Sequence, residues 1–222
     1  METLYICIIF TPYQPTAILL KDTFIQLTIP YSSDHNVIAY LWREIEQQYN
    51  QSKRFYHTFT HLQNLLEQLE PLRNQVDDWE SVMFALFYHD IVYNVLKKNN
   101  EEKSAELAKK RLSQIKVSDP VIQKTVELVL ATESHKLHQS NDINLFTDAD
   151  LSVLGSDWNA YSVYSRQVRK EYGIYPDLVY KPGRKKVLLY FLGLNNIYKT
   201  AFFAGKFENQ ARSNLRRELE EL

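Results

Sequence analysis

The stretch that decides the fold is DDWESVMFALFYHDIVY, residues 77–93. Its apolar side chains recur at the spacing of an α-helix face, which is typical of a helix packed against a core. Asp77 and Asp78 precede the first apolar residue, and either could cap the helix N-terminus. His89 continues the apolar stripe, so we expect its imidazole to point into the protein.

Helical periodicity extends over almost the whole chain after about residue 35. Period-2 alternation is confined to the first 30 residues, and the sequence contains no internal repeat or low-complexity linker. We therefore predict an all-α fold of about eight or nine helices. The predicted helical domain is 35–222, and residues 1–34 are predicted to form an N-terminal arm of uncertain order.

Composition limits the class of protein. The 26 basic and 27 acidic residues leave a net charge near zero, which does not indicate a nucleic-acid surface or a polybasic anchor. The apolar run 4–10, which could be strand-like or disordered, is far short of the roughly 20 residues of a membrane span. A single cysteine, Cys7, permits no disulfide within the chain. We expect a cytoplasmic monomer or homodimer that binds neither nucleic acid nor membranes.

Several histidines and aspartates fall at informative positions. His57 and His61 are four residues apart, which on a helix places both rings on one face. Asp90 directly follows His89, and Asp150 follows an apolar segment. A histidine on an apolar face is usually a hydrogen-bonded core residue, so no single position is decisive. Together they favour a divalent ion of the Mn, Fe, Zn or Ni kind, which also explains a carboxylate beside an apolar stripe.

The order His…His-Asp…Asp on helices resembles the HD superfamily of metal-dependent phosphohydrolases, in particular a bacterial branch described as predicted HD phosphohydrolases. The resemblance runs from about residue 37 to the C-terminus and is more specific for the superfamily than for a substrate. It is carried by RFYHTFTH (54–61), FYHDIVY (87–93), NEEKSA (100–105), ATESH (131–135), DADLSVLG (148–155) and RKEY (169–172).

The resemblance implies a role for each matching residue. Tyr-His-x-x-x-His resembles a segment of the cyclic-nucleotide phosphodiesterases, in which the second histidine binds metal and the first donates a proton. This implies His57 as general acid. The family pattern also favours Asp150 over Asp148 as the last metal ligand. The implied metal ligands are His61, His89, Asp90 and Asp150.

A second metal ion is a separate question. The phosphodiesterases carry a further histidine and a glycine just after their His-Asp, whereas this chain has IVYN at 91–94. This difference argues against cyclic-nucleotide hydrolysis and favours one ion. Glu101 and His135 could supply a second ion by resemblance to two-metal members. Alternatively, Glu101 is an acid favoured by a helix N-terminus and His135 a charge at a helix C-terminus.

Other candidates are less specific. Glu101 and Asp148 are further candidates for a catalytic carboxylate, although Asp148 could be only a helix cap. The candidate phosphate-binding residues are Arg169, Arg184 and Lys186. The run 184–186 is also typical of a solvated face. The aromatic residues between 158 and 175 could stack on a base or belong to the core.

We therefore predict a metal-dependent phosphohydrolase that cleaves a phosphate ester of a nucleotide or small molecule. A divalent ion (Mn, Fe, Ni, Zn or Mg) would activate the attacking water. One alternative is an HD-type di-iron oxygenase. Another is a non-catalytic module that binds a metal or a nucleotide.

Overall fold

The computed structural model describes residues 16–222, which form ten α-helices and contain no strand. The helices are α1 (Thr16–Thr28), α2 (His35–Tyr49), α3 (Phe59–Leu69), α4 (Trp79–Tyr88), α5 (Asn100–Gln114), α6 (Asp119–Ala131), α7 (Asn141–Asp150), α8 (Trp158–Glu171), α9 (Asp177–Gly193) and α10 (Ala201–Glu221). Two 3₁₀-helices, Glu70–Gln75 and Leu151–Gly155, directly follow α3 and α7. The predicted all-α class is confirmed. No helix in this range is long and apolar enough to cross a membrane.

Helix α4, from the stretch 77–93, lies at the centre of the core. Asp78 caps it by accepting a hydrogen bond from the backbone N–H of Ser81 at 3.0 Å. Every residue from Ser81 to Tyr88 is buried, and α4 packs against α1, α3, α5 and α6. A helix that is apolar all round must be covered on every side. The residues that follow its C-terminus, His89 and Asp90, are therefore held deep in the molecule.

Helix α1 lies in the part of the chain that the sequence analysis predicted to be an N-terminal arm. Leu20 and Phe24 are fully buried, and the Phe24 ring lies 5.1 Å from that of Phe87 in an edge-to-face contact. Their spacing of four residues places both side chains on one helix face, where they add to the core. Residues 16–28 therefore contribute to the helical core, although the predicted boundary at residue 34 placed them in the N-terminal arm. The apolar run 4–10 lies outside the described residues.

The segment after Asp150 is held by a close approach of α10. A Cβ atom added at Gly155 would lie 2.5 Å from the Cβ of Phe207 and 2.7 Å from its carbonyl oxygen. The Asn214 amide donates hydrogen bonds to the carbonyls of Leu154 and Ser156 at 2.9 and 2.8 Å. These contacts fix the 3₁₀-helix and, with it, the end of α7.

Candidate metal centre

The four predicted metal ligands converge where three helices meet. His61 lies in the first turn of α3, and Asp150 is the last residue of α7. His89 and Asp90 directly follow α4. The two histidines are 4% and 1% exposed, so the ring atoms that face the cluster are almost completely withdrawn from solvent.

The donor atoms of these residues are close enough to share one ion. The Nε2 atoms of His61 and His89 lie 3.0 Å apart. Asp90 Oδ2 is 3.1 Å from His89 Nε2 and 3.6 Å from His61 Nε2. Asp150 Oδ1 is 3.2 Å from His61 Nε2 and 3.8 Å from His89 Nε2. Ligands about 2.0–2.2 Å from a divalent ion are themselves separated by about 3 Å or slightly more. His61, His89 and Asp90, whose donor atoms all lie within 4.8 Å of one another, therefore fit one ion. Asp150 approaches both histidines but is not part of this compact group of three.

A hydrogen bond outside the cluster orients His89. Its Nδ1 lies 3.1 Å from the carbonyl oxygen of Leu86, and a carbonyl can only accept, so Nδ1 carries the proton. In the neutral ring, this leaves the lone pair on Nε2, the atom that faces His61 and Asp90. Such a bond is the usual way in which a protein fixes the tautomer of a metal-binding histidine.

The charges in the cluster depend on one another. Burial opposes charge on His89, but the carboxylates of Asp90 and Asp150 outweigh it and raise the His89 pKa to about 9. Burial likewise opposes charge on the two carboxyl groups, but the neighbouring histidines hold the pKa of each below its usual range. Without an ion, the cluster therefore keeps its carboxylates charged by retaining protons on histidine. A divalent cation can replace those protons.

His57 lies beside the cluster, but in the loop before α3 and not on the helix. The expectation that one helix carries both His57 and His61 is therefore wrong, although their ring centroids are 5.8 Å apart. His57 Nδ1 donates a hydrogen bond to Glu171 Oε2 at 2.7 Å. Its other nitrogen, Nε2, lies 3.9 Å from Asp90 Oδ2. The ring thus has one end held and the other directed at the cluster.

Glu171, the last residue of α8, belongs to the RKEY segment, but the sequence analysis gave it no role in the site. Its Oε1 accepts the backbone N–H groups of Phe55, Tyr56 and His57 at 2.8, 2.8 and 3.0 Å. Its Oε2 also accepts a hydrogen bond from the Tyr93 hydroxyl at 2.9 Å. Burial opposes its charge, but His57 and these donors lower the Glu171 pKa to about 2. Its position in the RKEY segment was the available signal.

Arg54, the first residue of the RFYHTFTH segment, is a second residue to which the sequence analysis gave no role. Its guanidinium donates hydrogen bonds to the carbonyls of His57, Asp90 and Ile91 at 3.3, 2.7 and 2.9 Å. The same group lies 4.9 Å from the ring centroid of Tyr49. Arg54 therefore ties the loop that carries His57 to the turn that carries Asp90.

His135 and Glu101 lie on the same side of the cluster. His135 Nε2 is 2.8 Å from Asp150 Oδ2, the oxygen that does not face His61. His135 has a φ of 49°, a left-handed conformation that is uncommon for a residue other than glycine. Burial and the negative charges of Asp90 and Glu133 raise the Glu101 pKa. Asp150 therefore directs its second oxygen, Oδ2, at a further potential ligand, His135. Glu101 lines the same cavity as His135.

Asp148 pairs with groups outside the cluster, and these contacts argue against the predicted catalytic role. It is fully buried and accepts hydrogen bonds from the backbone N–H groups of Lys199 and Thr200 at 2.9 and 2.7 Å. The Lys199 ammonium pairs with it at 2.9 Å. Because these groups occupy its carboxylate, Asp148 fastens the start of α10. Its role is close to the capping alternative, but for a helix that begins about 50 residues later.

The three predicted phosphate-binding residues have other roles. The Arg169 guanidinium pairs with Asp177 at 2.7 Å and donates to the carbonyls of Tyr172 and Tyr175. Arg184 is buried in a bidentate pair with a glutamate of α10, Glu218, at 2.7 and 2.8 Å. Lys186 is exposed and lines neither cavity described below. The pairing of Arg169 and the position of Lys186 argue against a phosphate-binding role for these two residues. Arg184 lines the larger of the two cavities, but its charge is paired with Glu218.

A cavity of about 690 Å³ opens beside the cluster. The titratable groups in its wall include His57, Asp90, Glu101 and His135. The wall also contains six tyrosines: Tyr56, Tyr93, Tyr164, Tyr172, Tyr175 and Tyr180. Lys97 and Lys98, which the sequence analysis did not single out, line it too, and both are exposed. The aromatic segment 158–175 is thus divided, with part lining the cavity and part packed in the core.

A second cavity of about 410 Å³ also reaches the cluster. His61 lines this cavity and not the first, whereas Asp150 lines both. Tyr56, Val153 and Tyr164 are also common to the two walls, and the rings of the two tyrosines pack edge to face at 4.7 Å. These four residues therefore form the partition between the cavities.

The chain matches no protein-family model, no curated protein and no solved structure. The resemblance to the HD superfamily rests on the motif residues alone and stays a prediction.

Proposed function

We propose that the protein is a metal-dependent phosphohydrolase. The observation that carries this proposal is the convergence of two imidazoles and two carboxylates beside a cavity large enough for a small-molecule ligand. A buried group of this composition has the donors that a transition metal prefers. The metal ligands are His61, His89, Asp90 and Asp150. A divalent ion supplies Lewis-acid chemistry when it is bound, both toward water and toward a phosphoryl oxygen.

His57 is the proposed general acid. Glu171 holds Nδ1, so Nε2 is the nitrogen that can give a proton to the leaving oxygen of an ester bound in the first cavity. Burial opposes charge on His57, but Asp90 and Glu171 outweigh it and raise its pKa. The raised pKa favours the protonated ring, the form that a general acid needs.

The substrate is proposed to be a phosphate ester with a planar or apolar group. Six tyrosines offer ring faces to such a group, while Lys97 and Lys98 supply positive charge in the same wall. Nucleotides and aryl phosphates both meet this description. A cytoplasmic location and a monomeric or homodimeric state are kept as predictions.

The first experiment measures the metal content of the protein purified without added metal. We expect about one Mn, Fe, Ni or Zn per chain, in keeping with the single four-ligand cluster. His89→Ala and Asp90→Ala should lose the metal. His138→Ala, which removes an exposed histidine outside the cluster, is the matched control and should keep it. If reconstituted wild-type protein binds no metal, the proposal fails.

The second experiment tests the general acid through the leaving group. His57→Ala should keep its metal and lose about 10²- to 10⁴-fold in kcat on a nucleoside 5′-monophosphate, whose alkoxide needs a proton. It should lose much less on 4-nitrophenyl phosphate, whose leaving group departs as a stable anion. An equal loss on both substrates would remove His57 as the acid.

A di-iron oxygenase is the second candidate, because one observation favours a second ion. Asp150 directs one oxygen to His61 and the other to His135, as a carboxylate that bridges two ions does. Glu101 lines the same cavity as His135. Two irons per chain with the absorbance of a bridged pair would favour this candidate over hydrolysis.

A further inference from the structure

The two cavities divide the groups around the cluster between them. His57 and Asp90 line the first cavity, whereas His61 lines the second. Asp150 belongs to both walls, with Oδ2 2.8 Å from His135 and Oδ1 3.2 Å from His61. The cluster is therefore accessible from two separate spaces.

The second cavity offers little charge to an anion, because uncharged polar side chains share its wall with apolar ones. Apart from the cluster residues Asp150 and His61, its lining contains no aspartate, glutamate, lysine or arginine among the described residues. Its polar side chains are hydroxyls and amides, which bind water well but give an anion no charge to pair with. They are Tyr56, Thr58, Thr60, Asn64, Gln68, Ser152, Ser156, Tyr164 and Gln167. A volume of about 410 Å³ holds several waters at about 30 Å³ each.

The geometry of phosphoryl transfer requires two approaches. The attacking and leaving oxygens lie roughly in line on opposite sides of phosphorus. His57 donates its proton from the wall of the first cavity, so the leaving group must lie there. The attacking water must then arrive from another direction, and the second cavity reaches the cluster past the shared residue Asp150.

We propose that the second cavity is the water route of this enzyme, separate from the substrate cavity. This inference rests on the proposed hydrolase function. The water oxygen forms a bond to phosphorus as the bond from phosphorus to the ester oxygen breaks. The ester oxygen takes a proton from His57, and the attacking water releases one proton, which restores His57 through solvent. The products are one alcohol and one phosphate.

Ala160→Trp tests the route by filling the second cavity. Ala160 lines this cavity near the start of α8, and it is exposed, so a larger side chain can be accommodated without disturbing the core. Arg166→Trp is the matched control, because Arg166 is exposed on the same helix and lines neither cavity. Gly183→Trp obstructs the first cavity instead, at a position where an added Cβ meets no atom within 4 Å.

Each variant is loaded with Mn²⁺, and three quantities are measured: Mn content, the water-proton relaxation rate, and kcat and KM on 4-nitrophenyl phosphate. Bulk-water relaxation rises when water exchanges rapidly at the paramagnetic ion, so it reports access independently of turnover. Ala160→Trp should keep Mn and KM, lower the relaxation enhancement relative to Arg166→Trp, and lose about 10- to 100-fold in kcat, since misplacing a reactant has effects of that order. Gly183→Trp should raise KM and keep the relaxation enhancement.

The results separate this inference from the proposed function. If Ala160→Trp matches Arg166→Trp in relaxation and in kcat, water does not use the second cavity and the inference is overturned. If wild-type protein binds Mn²⁺ but hydrolyses no phosphate ester, the hydrolase proposal fails while relaxation still tests the access route. If Gly183→Trp removes the relaxation enhancement, water enters through the first cavity, which also overturns the inference.

Discussion

Glu171→Gln is the substitution that best tests the proposed proton donor. It keeps the size of the side chain and removes its charge. A glutamine can direct its carbonyl oxygen at the three backbone N–H groups that Glu171 Oε1 accepts. Its amide nitrogen must then face His57 Nδ1 and the Tyr93 hydroxyl, which now donate to Oε2. The variant therefore places a donor against the His57 donor.

The structure sets the size of the expected effect. The Glu171 pKa is lowered from 4.5 to about 2, which corresponds to about 3 kcal/mol in favour of its charged form. Part of this comes from the backbone donors, which glutamine can still satisfy. We expect the free energy of unfolding to fall by about 2 kcal/mol, the range for a hydrogen bond to a charged group. Because His57 is misoriented, kcat should fall about 10- to 100-fold, less than the full contribution of a general acid.

The pH dependence has a definite sign. Glu171 raises the His57 pKa, so the active, protonated ring persists to higher pH in the wild type. In Glu171→Gln, the basic limb of the kcat profile should move to lower pH. In the wild type, the charged Glu171 side chain stabilises the fold above a pH of about 4.5. This contribution is lost as the pH falls toward 2, because the folded-state pKa of Glu171 is depressed.

The assay combines a kcat profile on a nucleoside 5′-monophosphate, metal analysis and urea unfolding. Glu218→Gln is the control, since Glu218 is a buried glutamate whose partner is Arg184 and not His57. It should lower stability and leave the basic limb in place. If Glu171→Gln keeps the wild-type limb and kcat while losing stability, Glu171 has only a structural role and the proposed coupling to His57 is refuted.

Two further predictions concern packing and the metal-free cluster. Gly155→Ala should lower the free energy of unfolding in urea by about 1–3 kcal/mol, because the new methyl group meets the backbone of Phe207. Gly205→Ala is the control, since an added Cβ has open space there, and it should leave the free energy of unfolding unchanged. Equal free energies of unfolding in the two variants would contradict the close approach at Gly155. Metal-free protein should lose about 3 kcal/mol as the pH rises from about 6.5 to 9, since the raised His89 pKa stabilises the fold only while that ring is protonated. Metal-loaded protein should lack this loss, and a flat profile in the chelator-treated protein would contradict the assigned His89 protonation.

Much of the architecture could be predicted from local pattern. The apolar spacing in 77–93 predicts a buried helix, and α4 is buried on every side because no face of it carries a charged side chain after Glu80. The same pattern predicts that His89 points inward, which its 1% exposure confirms. Helix α1 was missed because period-2 alternation was given weight over the i, i+4 pair Leu20 and Phe24.

The composition of the candidate site was also within reach of the sequence, because residue types and their order along the chain carry that information. The distances show that His61, His89, Asp90 and Asp150 meet. Whether they hold a metal stays a prediction.

Pairing between distant residues was decided only by the tertiary structure. His57 and Glu171 are 114 positions apart, and no local pattern couples them. The same holds for Arg184. The sequence analysis named it as a candidate phosphate-binding residue, but its charge is neutralised by Glu218 of α10. Asp148 and Asp150 are two residues apart, yet one fastens α10 and the other faces the cluster. Successive positions on a helix point in different directions, so only the packing of the helices decides which partner each carboxylate meets.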